Sequence, residues 1–250
     1  MTTTSLPGRV APLRVLHTAR RPALVLVAHG SHDPAAAAEI ARLHARLQSV
    51  RPELDIRLGH LGLNAPLLPE VLDELTGRVV LVPLLLGRGY HSKIDIPRLL
   101  AAADHLDGEC APPLGPDPLL VEALADRLAS AGWSGEPVVL AASGSRDPDA
   151  ARDTEAQAAL LAARLGVTVR PGYVTAAGPS VAAAVAELSD DGRHRVAVAS
   201  YFTAPGDFAR LAAAAGAALT SAPLGDHPLL ARLVLDRYQS FLSRTARRVG

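Results

Sequence analysis

Short apolar runs alternate along the chain with longer stretches in which apolar residues recur every three or four positions. Leu24–Ala28 is continuously apolar and ends at a glycine turn. Ala35–Leu47 follows with Ile40, Leu43 and Leu47 at helical spacing and alanines between them. Leu54–Leu58 reads as a strand, and Leu67–Leu75 as a helix closed by Gly77. Val79–Leu85 is unbroken apolar sequence, the pattern of a strand buried on both faces. Pro97–Ala103 predicts a helix with proline in a tolerated first-turn position, and Leu119–Leu128 another. Ser130–Pro137, holding Gly132, Trp133 and Gly135, reads as a linker. The order then returns: strand Val138–Ala141, helix Ala151–Leu165, strand Val167–Arg170, helix Val181–Leu188, strand Val196–Ser200, helix Phe208–Ala215 and a helix from Pro228. Such alternation predicts an α/β fold whose mostly parallel sheets are flanked by helices.

The second half repeats the first in sequence as well as in pattern. Val27-Ala28-His29-Gly30-Ser31-His32-Asp33-Pro34 returns 114 positions later as Ala141-Ala142-Ser143-Gly144-Ser145-Arg146-Asp147-Pro148. Pro113-Leu114-Gly115-Pro116-Asp117-Pro118-Leu119-Leu120 returns 110 positions later as Pro223-Leu224-Gly225-Asp226-His227-Pro228-Leu229-Leu230, and Asp126-Arg127 as Asp236-Arg237 in the same register. His91 meets Phe208 at 117 positions. A period near 110 exceeds the roughly 20–50 residues of a solenoid unit and matches one small domain. The expected organisation is therefore a tail over 1–22, a lobe over 23–130 and a degenerate second lobe over 138–243.

Composition narrows the function classes. The 250 residues carry 25 basic and 25 acidic side chains, so no general basic field is present to draw nucleic acid or a membrane surface. The hydrophobic fraction of 49% suffices for a core in each half, and aromatics at 3% leave that core to Leu, Val and Ala. One cysteine, Cys110, allows no intramolecular disulfide and fits a cytoplasmic location. The apolar runs are strand-sized, too short to span a bilayer. Arg9, Arg14 and Arg20 lie among Ser and Thr in the first twenty residues, and a dispensable disordered tail is expected there.

The histidines carry the chemistry. His29 and His91 both stand just beyond the carboxyl end of a strand, where α/β sheets bind ligands, and both are missing from the duplicate. Gly30 permits the turn after His29, and Ser31 or Asp33 can cap the next helix, whose free N–H groups offer an anion seat. Gly87-Arg88-Gly89-Tyr90-His91-Ser92-Lys93 reads either as a mobile lip bearing a metal or proton ligand or as a plain surface connection. Two imidazoles facing a cleft can hold a divalent metal loosely and accept protons, but they are too few for a structural zinc site. His60 is a third-ligand candidate. His32 is expected at the surface, as are His17, His44, His105, His194 and His227.

At these residues the chain resembles the class II tetrapyrrole chelatases, in particular the sirohydrochlorin chelatases of the CbiX/SirB type. The resemblance rests on VAHGSHDP at Val27–Pro34, on VPLLLGRGYHSKIDIP at Val82–Pro97 and on the two PLG blocks, and spans about Leu24 to Tyr238. It implies two similar α/β lobes around a cleft. It implies a lyase that inserts Fe²⁺ into sirohydrochlorin to make siroheme, with Co²⁺ for cobalamin as the alternative. His29 and His91 would be the catalytic residues and metal ligands. The metal would be substrate, with no permanently bound cofactor. Gly30, Ser31, Arg88, Gly89, Tyr90 and Lys93 are the candidate substrate contacts, with the cations and Ser31 meeting the substrate's carboxylates. The acid that the family often carries in the strand-end block falls on Gly62 here, so Glu70 or Asp95 is expected to substitute. One chain is expected to suffice as a monomer.

Three rival readings remain open on the residues: a non-catalytic metal or tetrapyrrole carrier, a hydrolase using Ser31, and an anion- or nucleotide-binding module. The hydrolase lacks a GxSxG elbow, and the anion module leaves His91 without a task.

Overall fold

A computed structural model describes residues 21–175, 178–189 and 195–249, with side chains through 243. Most of the expected tail, His17 and His194 thus lie outside the described residues. The first half runs β1 (Ala23–Ala28), α1 (Pro34–Val50), β2 (Ile56–His60), α2 (Leu68–Asp73), β3 (Gly77–Pro83), a π turn (His91–Asp95), α3 (Ile96–Ala102), β4 (Leu106–Cys110) and α4 (Pro118–Ser130). The second runs β5 (Val138–Ala142), α5 (Pro148–Leu165), β6 (Val169–Tyr173), α6 (Val181–Ser189), β7 (Ala197–Ser200), α7 (Asp207–Ala213), β8 (Leu219–Thr220) and α8 (Pro228–Val249). Two four-stranded sheets result, ordered β2-β1-β3-β4 and β6-β5-β7-β8, with every pairing parallel.

Parallel strands need cover on both faces, and β1 shows how the sequence supplies it. Leu24, Leu26 and Ala28 face a central cluster, while Ala23, Val25 and Val27 face Leu68, Val71 and Leu72 of α2 and Ile96 of α3. β5 repeats the division, with Val139 and Ala141 packed against Val181, Ala184 and Val185 of α6. Between the sheets lies one layer of α1, α4, α5 and α8, whose buried residues form a single cluster running through both halves.

The expectation of a separate core in each half is corrected by the path of two helices. α4, which closes the first half in sequence, packs against β7 and α5 of the second. α8 packs in return against β3 and α1 of the first. Arg127 of α4 donates to Leu224 O (2.8 Å), and Arg237 of α8 donates to Leu114 O (2.8 Å) and to Asp117 (3.1 Å). Tyr238, fully buried, donates its hydroxyl to Pro22 O at 2.7 Å. α8 also buries Leu230, Leu233 and Val234. At roughly 1.5–3 kcal/mol for each large apolar side chain, this helix alone binds the halves into one body.

Two strands escape the sequence pattern. β4 alternates half-buried and exposed positions and carries Asp107 and Glu109 outward, the polar character of a protected edge. β8 is two residues long. Cys110 lies partly buried on β4, and burial pushes its thiol up to about 11, which leaves it inert. Among the described residues no helix is long and apolar enough to cross a membrane.

Candidate active site in the interlobe cleft

The carboxyl ends of β1, β3, β5 and β7 open on a shared cleft of about 670 Å³, within the range of small-molecule sites. His29, Gly30, Ser31, Gly89, Tyr90 and His91 line it from the first lobe, and Ser143, Ser145, Thr175, Thr203 and Phe208 from the second.

His29 and His91 meet there. Their ring centroids are 4.8 Å apart and the rings stand at 74° to each other. His29 follows β1, and Gly30 after it takes φ +94°. A Cβ on Gly30 would sit 1.9 Å from Gly62 O, so only glycine allows the two loops to touch. Asn64 Oδ1 accepts from Ser31 N–H at 2.7 Å and fixes the loop from the same side. His91 opens the π turn, which places Asp95 one turn on; Gly89 and Ser92 hold the approach through reciprocal bonds of 3.0 Å. His91 Nδ1–H donates to Asp95 Oδ2 at 2.6 Å, because an ionised carboxylate can only accept. His29 Nδ1 lies 3.1 Å from Gly30 O, which likewise can only accept. These acceptors at Nδ1 select, for the neutral ring, the tautomer whose Nε2 carries the lone pair that a metal or a proton needs. Among the described residues no group of three or more His, Cys, Asp or Glu side chains is placed to hold a metal. The pair leaves any bound ion with open positions for another ligand.

The other candidates divide. Asp95 reaches the site through His91, whereas Glu70 caps α2 by accepting from Leu67 N–H at 2.7 Å. His60 is 6% exposed, with Nδ1 3.1 Å from Pro66 O. It lines the cleft without joining a ligand set. The anion seat after Ser31 is also corrected. Asp33 caps α1, accepting from Ala35 N–H at 2.9 Å, and its carboxylate occupies the helix end. His32 is exposed, as expected. His44 instead lies half-buried with Nε2 2.9 Å from Ile56 O, and His227 is largely covered.

Arg88 and Lys93 do not line the cleft. They cross it at the side. Arg88 donates to Asp153 through its backbone N–H (2.7 Å) and its guanidinium (2.7–3.1 Å). Lys93 Nζ lies 2.8 Å from both Asp147 and Asp149. Asp153 raises the Arg88 pKa, Asp147 and Asp149 raise that of Lys93, and Lys93 lowers both carboxylates. On the opposite side Arg210 of α7 pairs with Asp33. Arg210 follows Lys93 by 117 positions and Asp147 follows Asp33 by 114, so the duplication carries the same ion pair to both sides. The expected carboxylate donors are thus interlobe ties. A further tie, Tyr201, escaped the sequence reading. It is buried at the cleft floor and donates to Leu86 O at 2.9 Å, and burial raises its phenol pKa.

The family model described as CbiX matches residues 23–131 and again 137–241. A sirohydrochlorin ferrochelatase of Bacillus subtilis is 30% identical over 183 residues, covering 68% of this chain and 69% of that protein. A sirohydrochlorin cobaltochelatase of Methanothermobacter thermautotrophicus is 29% identical over 131 residues, which is 43% of this chain and 91% of its own length. The solved structure of SirB from Bacillus subtilis with Fe³⁺ superposes with a TM-score of 0.73 at 26% identity, covering 88% of this chain and 94% of that one.

Proposed function

The chain belongs to the CbiX family, and from that premise we propose that it is a sirohydrochlorin chelatase that inserts Fe²⁺ to make siroheme. The observation that carries this reading is the edge-to-face pair His29–His91 at 4.8 Å in a cleft large enough for a flat ligand. The incoming metal ion binds the two Nε2 lone pairs and sheds water. The macrocycle enters from the open side and its pyrrole nitrogens take the ion over. Two N–H protons must leave as the metal–nitrogen bonds form. The imidazoles, freed of the metal, accept them and pass them to solvent, balancing one M²⁺ in against two H⁺ out. Asp95 holds His91 in the receptive tautomer. Both walls come from one chain, so a monomer suffices.

The preference for iron is supported by a relative that matches across both halves, the Bacillus subtilis ferrochelatase, whereas the Methanothermobacter thermautotrophicus cobaltochelatase matches over one half's length. Nitrogen sites bind Co²⁺ more tightly than Fe²⁺, so supply is expected to decide in the cell. The test is anaerobic turnover of sirohydrochlorin with Fe²⁺ and with Co²⁺, followed by visible absorption. Turnover above the spontaneous rate, abolished by His29→Ala and by His91→Ala, supports the reading. Stoichiometric binding without turnover would make the protein a carrier.

A further inference from the structure

Leu63 is the one described residue other than glycine at positive φ, +66°, a region that a branched side chain enters only with strain. It sits at the centre of a three-residue turn closed by Asn64 N–H to Gly62 O at 2.8 Å. The backbone reason for the turn is plain: it lays Gly62 O against Gly30 and Asn64 Oδ1 on Ser31 N–H. Glycine at position 63 would meet that need without strain. What glycine lacks is the isobutyl group, and this group is not spent on the core. Leu63 is 55% exposed and lines the cleft. Phe208, which stands at the duplicate's counterpart of His91, is 43% exposed and lines the same cleft from the other lobe. Large apolar side chains left open to water on both sides of one cavity mark a surface for an apolar ligand face. The register of 113 positions that carries Leu68 to Val181 carries Leu63 to Ala176, so the second copy gives up this side chain where it also gives up the histidines.

From the strained turn and the opposed exposure we infer that Leu63 and Phe208 are substrate-positioning residues: they grip the flat apolar face of the macrocycle while the imidazoles address its nitrogens. The inference rests on the chelatase reading and assigns its macrocycle-binding contacts. Strain at Leu63 is retained for the ligand and not for the fold.

The experiment titrates the full-length protein with metal-free sirohydrochlorin, followed by the ligand's fluorescence, and separately with Co²⁺ alone. Leu63→Gly and Phe208→Ala are each expected to weaken macrocycle binding by roughly five- to tenfold, the loss of a partly covered apolar side chain. Co²⁺ binding should stay at the wild-type value. Leu63→Gly should melt no lower than wild type, because it removes strain. Unchanged macrocycle affinity in either variant overturns the inference while leaving the chelatase reading intact. A clear fall in Tm for Leu63→Gly overturns it too, since the side chain would then serve the fold. A wild-type protein that does not bind sirohydrochlorin takes down both.

Discussion

At the mouth of the first sheet a strand-end loop presents His29 and a π turn presents His91; at the mouth of the second, the same positions hold Ser143 and Phe208. The frame around them is shared. Asp33 and Asp147 cap corresponding helices, and Gly30 and Gly144 both take positive φ beneath a neighbouring carbonyl. Lys93–Asp147 and Arg210–Asp33 tie the lobes from both sides. The duplicate has thus kept what holds the cleft and lacks the two imidazoles, the groups proposed above to react in it. Ties have to be made at each side of an interface, whereas under the proposed mechanism one pair of imidazoles serves one substrate.

Writing the second lobe's residues into the first is the strongest way to break this comparison. The double change His29→Ser, His91→Phe is expected to lower chelatase turnover by about 10²–10⁴-fold. Both sites are open to solvent, so the unfolding free energy should move by less than about 0.5 kcal/mol. A variant keeping a tenth of the wild-type rate would show that the histidines are not what separates the lobes.

Gly30→Ala comes next. Its Cβ would meet backbone at 1.9 Å and its φ is +94°, so a stability loss of about 2–4 kcal/mol is expected in denaturant titrations, with loss of activity. Gly144→Ala meets Thr175 O at 2.7 Å and should be milder, sparing the histidine pair.

The ties differ in burial. Asp153 is 3% exposed and accepts from both the backbone and the guanidinium of Arg88, so Asp153→Ala should lower Tm on the order of 4 °C. Arg210 is exposed, and Arg210→Ala should move Tm by less than about 2 °C. Equal shifts would mean that the two sides of the cleft carry equal load.

The smallest effect separates the two cap positions Asp117 and His227. Asp117 accepts from Leu119 N–H at 2.9 Å, and His227 Nδ1 accepts from Leu229 N–H at 3.3 Å. Burial and the neighbouring Arg127 lower the His227 pKa. Its neutral form is favoured in the folded state. That contribution is complete above the ordinary histidine value near 6.5 and is lost as pH falls through the lowered one. Protonation also ends the cap, because Nδ1 then has no lone pair. His227→Asn should flatten thermal stability between about pH 7 and 5, a window that leaves the lowered carboxylates Asp147 and Asp149 ionised. An unchanged pH slope in the variant would clear His227 of the effect.

The sequence was informative where a single pattern has a single structural meaning. The unbroken runs at Leu24–Ala28 and Val79–Leu85 read as strands covered on both faces, and the loops that leave them bring His29 and His91 to the carboxyl end of the sheet. Where one pattern serves two arrangements, the sequence does not choose between them. The apolar stripe of α4 looks the same whether it covers its own sheet or the other. Arg88 and Lys93 look the same whether they meet a substrate carboxylate or an aspartate of the facing lobe. The strain at Leu63 has no signature in composition at all, since leucine is not a turn residue.

The exchange of α4 and α8 has a consequence for synthesis. A chain leaving the ribosome completes β1, β2 and β3 early, but α8, the cover for β3, begins only at Pro228. At about 5–20 residues per second, the part of the first sheet's flank over β3 waits several seconds without its cover after α4 has emerged, while α1 already packs beside it. Nascent chains stalled before Pro228 should therefore be cut readily within the first half by added protease, and the released 250-residue chain should not.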